Sequence, residues 1–441
     1  MSRGLVIAAP ASGAGKTMIV AGLLAAFRAR GLDMRAAKSG PDYIDPAFHA
    51  AASGRECVNL DAWAMPPAQL RGLAAAQGGD VLLVEGAMGL FDGAPDVSTP
   101  MGRGAVAELA GVLNLPVVLV VDASRAAQTV APALHGLRLA LAGRAGASGG
   151  DIYEQKMAGV ILNRVGSARH EAMLRAALGH YGLTVLGAVP RDAAMAQESR
   201  HLGLVQAGED AGLPARLAAM AAHVAAHVDL GALQALATQI MPTPLPVGLP
   251  PPGQRIAVAR DVAFAFAYPH MLEGWRRAGA QVMPFSPLAD EGPAAEADAV
   301  FLPGGYPELH AGQIAQAGRF RAGMVAAVAR GATVYGECGG YMVLGAGLVD
   351  GDGMRHEMLG LLPVETSFAQ RKLTLGYRQL SPLGGPFGDA PRRGHEFHYA
   401  TIVREDPESP LWQATDSLGV ELGTVGQRRG RVCGAFAHMI A

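Results

Sequence analysis

Pro10-Ala-Ser-Gly-Ala-Gly-Lys-Thr17 follows directly on the apolar run Leu5-Val-Ile-Ala-Ala9 and opens a helix-forming stretch, Met18–Ala29, that stops near Gly31. A strand, a glycine-rich turn and a helix N-terminus in that order aim consecutive backbone N–H groups at one point, which makes a preorganised anion site. Ser12, Gly13 and Gly15 would form the cradle, Lys16 would reach the β- and γ-phosphates of ATP, and Thr17 would reach a Mg2+ ion. The strict pattern has a glycine where this chain has Pro10, and proline restricts φ and removes one donor. A turn without a ligand is the plainer alternative; the flanking strand and helix favour the phosphate reading.

Working outward, short β-type runs alternate with Ala- and Leu-rich helical stretches as far as about residue 230, the pattern of a parallel sheet covered on both faces. Leu5–Ala9, Met34–Lys38, Val81–Glu85, Val117–Asp122, Gly159–Asn163 and Val185–Val189 read as strands, several of them uninterrupted apolar runs. Met241-Pro-Thr-Pro-Leu-Pro-Val-Gly-Leu-Pro-Pro-Pro-Gly253 then breaks every periodicity and reads as a semi-rigid linker. Beyond it Arg255–Ala259, Asp298–Leu302 and Ala332–Tyr335 resume as strands of a second α/β domain. The expected organisation is a doubly wound domain over 1–240, a linker over 241–253 and a second domain over 254–441. The 441-residue length suits two cores better than one.

Magnesium takes hard oxygen ligands, and acids gather where strands end. Glu85 closes Val81–Glu85 with Asp92 in the turn beyond it, and Lys38-Ser-Gly-Pro-Asp-Tyr-Ile-Asp-Pro46 sets Lys38, Asp42 and Asp45 after another strand. Each acid alone reads equally well as a turn former; all of them together at strand ends point to a ligand.

The second domain carries a different chemistry. Ala332-Thr-Val-Tyr-Gly-Glu-Cys-Gly-Gly-Tyr-Met342 puts Cys338 between a strand and a helix start, where the helix dipole would favour the thiolate. Leu302-Pro-Gly-Gly-Tyr-Pro-Glu308 offers the N–H groups of Gly304 and Gly305, with Gly339, as donors to an oxyanion. His438, in Gly434-Ala-Phe-Ala-His-Met-Ile440, is the best base for such a thiol. Enzymes of this kind often orient the histidine with a Glu two residues later; Ile440 stands there, leaving a dyad or a triad completed from elsewhere. Cys57 and Cys433 have no such surroundings and read as buried small residues. His223 and His227, four apart on an Ala-rich helix, lack an acidic or thiol partner and read as a solvent-facing pair. Arg392-Arg-Gly-His-Glu-Phe-His-Tyr399 reads either as an ordinary alternating strand with polar residues outward or as a cluster of His395, Glu396, His398 and Tyr399 set to meet a polar ligand.

A net charge of −2 gives no excess cation for nucleic acid. Hydrophobic content is 50%, mean hydropathy is +0.21, and charges or prolines interrupt every apolar run, so no spanning segment is expected. The opening run is too short for a secretion signal. The expectation is a cytoplasmic protein with no membrane or nucleic-acid partner. Three widely spaced cysteines fit neither a disulfide framework nor a closed zinc site.

Lys38–Pro46, Glu85-Gly-Ala-Met-Gly-Leu-Phe-Asp-Gly93, Tyr335-Gly-Glu-Cys-Gly-Gly-Tyr341, Leu375-Gly-Tyr-Arg378 and Gly394-His-Glu-Phe-His-Tyr399 together resemble the cobyrinic acid and hydrogenobyrinic acid a,c-diamide synthase family of the corrin pathway, over essentially the whole chain. The resemblance implies an N-terminal P-loop domain similar to dethiobiotin synthetase and a C-terminal class I glutamine amidotransferase domain. It implies ATP- and glutamine-dependent amidation of the a and c acetates of a corrinoid acid. An acyl phosphate would form on the acetate, and ammonia would be released through a thioester on Cys338. By the same resemblance Asp42, Tyr43, Ile44, Asp45, Glu85 and Asp92 serve ATP, Mg2+ and the acid substrate, and Asn163 occupies the position that reads adenine in related ATPases. The implied partners are a corrinoid acid and L-glutamine. Cobyric acid synthase and a P-loop switch ATPase are the alternatives, and oligomeric state, homodimer included, stays open, as does whether cobalt is in the ring.

Overall fold

The computed structural model describes residues 2–95, 102–143, 156–192, 195, 199–200, 203–204, 206–405 and 409–441. The chain divides into two compact units, Met1–Pro246 and Val247–Ala441. The prolines of 241–253 leave that stretch without helix or strand.

In the first unit seven strands run β1 (Arg3–Ala8), β2 (Met34–Ser39), β3 (Cys57–Leu60), β4 (Val81–Glu85), β5 (Val117–Asp122), β6 (Met157–Val165) and β7 (Val185–Pro190). Their spatial order is β3-β2-β4-β1-β5-β6-β7, and every neighbouring pair is parallel. The apolar runs are buried along nearly their whole length, as helices on both faces require. Strand order reverses at β1, with β4 on one side and β5 on the other, so a crevice opens at its carboxyl end. The glycine loop leaves from that end. Helix α1 (Lys16–Ala29) begins after Gly15, whose φ of 82° is left-handed, and is buried over most of its surface because the helix Leu213–His227 packs over it. Helix α2 (Ile44–Ser53) follows β2, started by the Asp42 carboxylate, which accepts the Ile44 N–H at 2.7 Å.

The second unit is built on the parallel strands Gln281–Phe285, Arg255–Ala259, Ala299–Leu302, Thr333–Glu337 and Val432–Ala435, adjacent in that order. From Val432–Ala435 the sheet continues antiparallel through Glu421–Arg429, Pro410–Thr415, Thr374–Pro382 and Arg392–His398 to His438–Met439. Val432–Ala435 and His438–Met439 are one run of chain separated only by Phe436 and Ala437, so the antiparallel strands close on themselves. His438 sits on the closing strand.

Candidate active sites

At the switch point of the first unit, positively charged and carboxylate groups interlock. Thr17 donates its hydroxyl to Asp45 Oδ2 at 3.1 Å and Glu85 Oε1 at 2.9 Å. Lys38 Nζ pairs with Asp45 at 2.5 Å and Glu85 at 3.0 Å, with Asp42 at 3.9 Å. Burial alone would lower the Lys38 pKa, but Glu85, Asp45 and Asp42 outweigh it and hold the ammonium charged. Burial likewise works against the Glu85 anion, and Lys38 and His49 overcome it, holding the carboxyl well below its usual range. His49 was not singled out from the sequence. Its Nε2 meets Glu85 Oε2 with both side chains fully enclosed. Asp45 and His49 are four apart on α2, a helical spacing that puts both on one face and could have flagged the pair.

The loop itself is braced by side chains. Asn163 donates Nδ2–H to the Ala14 carbonyl at 2.9 Å and accepts the Arg164 N–H at Oδ1, also at 2.9 Å. A Cβ on Gly15 would collide with that amide, so the left-handed turn and the close approach both demand glycine there. Asn163 therefore braces the phosphate turn through both ends of its amide. Lys16 donates to the Met88 carbonyl at 2.5 Å, and burial lowers its pKa. Asp92 accepts the Gly89 N–H at 2.8 Å and shapes its own turn. Tyr43 and Ile44 stand half-buried at the start of α2, and Ser12 and Gly13 are exposed at the loop tip.

Two carboxylates and one hydroxyl suit Mg2+, which keeps water and phosphate oxygens in the rest of its shell. Among the described residues no cluster of three His, Cys, Asp or Glu side chains is arranged for a metal.

In the second unit Cys338 has φ 45° and ψ −104°, a strained elbow between Thr333–Glu337 and the short helix Gly339–Leu344. A Cβ placed on Gly304 would overlap the His438 ring, lying 3.2 Å from Nε2 and 3.3 Å from Cys338 Cβ. Thiol carbon and imidazole thus face each other across a gap that only a glycine leaves open. The Gly305 nitrogen lies 3.0 Å from where a Gly339 Cβ would stand, bringing these two backbone segments together beside the sulfur. The Gly304→Ala variant is expected to lose at least ~10^2-fold in glutamine hydrolysis, because the methyl must displace the ring. A steady-state glutaminase assay checks this, and wild-type turnover would refute the packing.

One electrostatic expectation is overturned. Burial pushes the Cys338 thiol far up, with Glu308 adding to the effect, and the Gly339 N–H pulls it back only in part. His438 is held neutral by burial, reinforced by His395 and His398. Burial thus works against the charged form of both members of the pair. Cys57 and Cys433 are buried small residues as expected, and burial pushes Cys433 up to about 12.

His395, Glu396 and His398 gather around this same centre. His395 lies opposite His438 in register, ring centroids 5.2 Å apart; His398 stacks on Phe436 at 3.9 Å and donates Nδ1–H to the Ala400 carbonyl. Glu396 is bound by Arg378 through Nε and Nη2, both at 2.7 Å. His223 and His227 are half-buried rather than solvent-facing, each directed at a backbone carbonyl, of Pro190 and His223 respectively.

Burial lowers His270 to about 4, His395 to about 3 and His398 to about 4. The unfolded chain takes up these protons near pH 6.5, so the folded state loses stability as pH falls from there toward 4. Three such groups give at most ~4 kcal/mol per pH unit at the steepest point. Glu337, pushed up to about 8 by burial, and Asp42, pushed up to about 7 by burial, have the opposite slope, but with two protons against three on these histidines and a fourth on His438. Urea unfolding followed through the buried Trp275 and Trp412 should show a midpoint that drops between pH 6.5 and 4.5. A flat midpoint would contradict it.

No helix among the described residues is long and apolar enough to cross a membrane. Residues 5–205 match the CobQ/CobB/MinD/ParA nucleotide binding domain, and residues 255–441 match the CobB/CobQ-like glutamine amidotransferase domain. The chain is 54% identical over 444 residues to hydrogenobyrinate a,c-diamide synthase of Brucella suis biovar 1, covering 99% of this chain and 98% of that protein. It is 53% identical to the synthase of the same name from Sinorhizobium sp., over 99% of this chain and 98% of that one. With that of Rhodobacter capsulatus it shares 53% identity over 100% and 99%. Nucleotide-binding and amidotransferase domains joined in this order, and identity carried along the full length, place the chain in the hydrogenobyrinate a,c-diamide synthase family.

Proposed function

We propose that the chain uses ATP and glutamine to convert the a and c acetate carboxylates of hydrogenobyrinate to carboxamides, one per turnover. The reading rests above all on the Cys338–His438 pair facing each other across Gly304 in a chain whose other unit carries the phosphate loop. Each acetate would be activated as an acyl phosphate in the first unit. Lys16 and the backbone N–H groups of residues 12–17 would hold the phosphates, and Thr17, Asp45 and Glu85 would hold Mg2+. When bound, Mg2+ supplies charge neutralisation on the phosphate oxygens. Lys38, which pairs with both carboxylates, would receive the incoming acid, with Asp42, Tyr43 and Ile44 at the rim.

In the second unit Cys338 would attack the glutamine carboxamide while His438 takes the thiol proton and returns it to the departing ammonia. Gly305 and Gly339 would stabilise the oxyanion, and His395, Glu396 and His398 would line the glutamine side. Ammonia must meet the acyl phosphate before water does. Incubation with hydrogenobyrinic acid, ATP, Mg2+ and glutamine should yield first a monoamide and then a diamide by mass spectrometry. Parallel incubation with cobyrinic acid tests the choice of ring. ATP hydrolysis indifferent to any corrinoid acid would refute the reading.

A further inference from the structure

Glu337 ends the strand Thr333–Glu337, immediately before the nucleophile, where a parallel strand covered on both faces would ordinarily carry an apolar residue. Its side chain is 1% exposed. Oε1 accepts the N–H of Met439, the residue after His438, at 3.0 Å. Oε2 lies 3.7 Å from His438 Nδ1, and the buried Tyr335 hydroxyl also interacts with the carboxyl. The carboxyl is thus clamped by the backbone of the histidine's own strand, with its second oxygen turned to the imidazole. The opposite ring edge, Nε2, faces the Gly304 gap and the thiol.

We propose that Glu337 is the positioning residue of the thiol centre, orienting His438 from the nucleophile's own strand in place of the glutamate that Ile440 displaces. This deepens the amidotransferase reading and rests on it. With Nδ1–H turned toward Glu337, the Nε2 lone pair is left for the Cys338 proton. The sulfur then bonds to the carboxamide carbon, the C–N bond breaks, and the Nε2 proton leaves with ammonia; water afterwards cleaves the C–S bond to give glutamate and restores the thiol. The imidazolium formed in the first step lies 3.7 Å from the Glu337 carboxyl and favours its anion, which burial alone disfavours. The enclosed site makes that balance necessary, since an isolated buried cation is costly.

The test uses the full-length protein carrying Glu337→Gln. The carboxamide can still accept the Met439 N–H, but it then offers an NH2 to Nδ1, which selects the tautomer whose Nε2 is already protonated. Glutaminase kcat should fall about 10^3- to 10^4-fold, as when a triad carboxylate becomes an amide, with KM for glutamine within about threefold. Alkylation of Cys338 by 6-diazo-5-oxo-L-norleucine should slow in parallel. Glu337→Asp should recover at least tenfold of the kcat, and ammonium-driven amide formation should persist in both variants. The proposal falls if Glu337→Gln keeps kcat within about threefold of wild type, if Asp serves no better than Gln, or if ammonium-driven synthesis is lost as well, which would mark a structural role. Glutaminase activity surviving Cys338→Ala would instead overturn the amidotransferase reading itself, whatever happens at 337.

Discussion

Cys338→Ala should eliminate glutamine-dependent amidation, by more than ~10^4-fold, while ammonium salts continue to support it at the wild-type rate. Deleting an activated nucleophile costs most of the chemistry that depends on it, and no other described cysteine can substitute. Cys57 lies in the first unit and Cys433 is buried on a neighbouring strand with its Sγ directed at the Val334 carbonyl. The fold should tolerate the change, because alanine fits the volume and inherits the same φ of 45°. Amide formation from each nitrogen source, measured by mass spectrometry, checks both halves. Loss of the ammonium-driven reaction would mean that residue 338 serves the activating chemistry as well.

Glu85→Ala should instead silence both nitrogen sources. The carboxylate meets Thr17, Lys38 and His49 at once, so its removal strips an oxygen from the proposed metal set and leaves the Lys38 ammonium with Asp45 and the more distant Asp42. Breaking a buried ion pair by deleting one member costs ~3–5 kcal/mol, and loss of one electrostatic partner at a phosphoryl site lowers turnover by ~10^2- to 10^3-fold or more. Glu85→Gln separates the two effects. It should retain the fold, while isothermal titration with a non-hydrolysable ATP analogue shows weakened Mg2+ dependence of binding. Unchanged Mg2+ dependence would remove Glu85 from the metal set.

The parallel cores were legible because their strands are continuous apolar runs. Val81–Glu85, Val117–Asp122 and Arg255–Ala259 have the bounds their composition indicates. The four-residue Cys57–Leu60 was missed, being short and interrupted by Asn59, and so were the parallel strands Gln281–Phe285 and Val432–Ala435 and the antiparallel strands of the second unit other than Arg392–His398, whose alternation allows a strand. Glu421–Arg429, for instance, carries two glycines and three charged side chains, so its pattern gives no periodicity to read.

The same division holds for the chemistry. Cys338, His438, Lys16 and Glu85 stand in local motifs whose residue types announce a task. His49 and Glu337 do not, because their meaning lies in a partner supplied by another element. Glu337 acquires its role from strand register, which brings Ala435 alongside it and so carries His438 just beyond. The pKa of Cys338 was misjudged for a related reason: a dipole can be guessed from a helix start, whereas the depth of burial that overrides it emerges only on folding.

The ring of antiparallel strands that begins at Val432 and rejoins itself at Met439 also governs where this chain can vary in length. Phe436 and Ala437 form its seam, and dropping either would rotate every later side chain to the opposite surface, carrying the imidazole away from the sulfur. The exposed hairpin tip 388–391, beyond the buried Phe387, lies outside the pairing and can absorb added residues without that penalty. Insertions and deletions among relatives should therefore accumulate at this tip and avoid the seam.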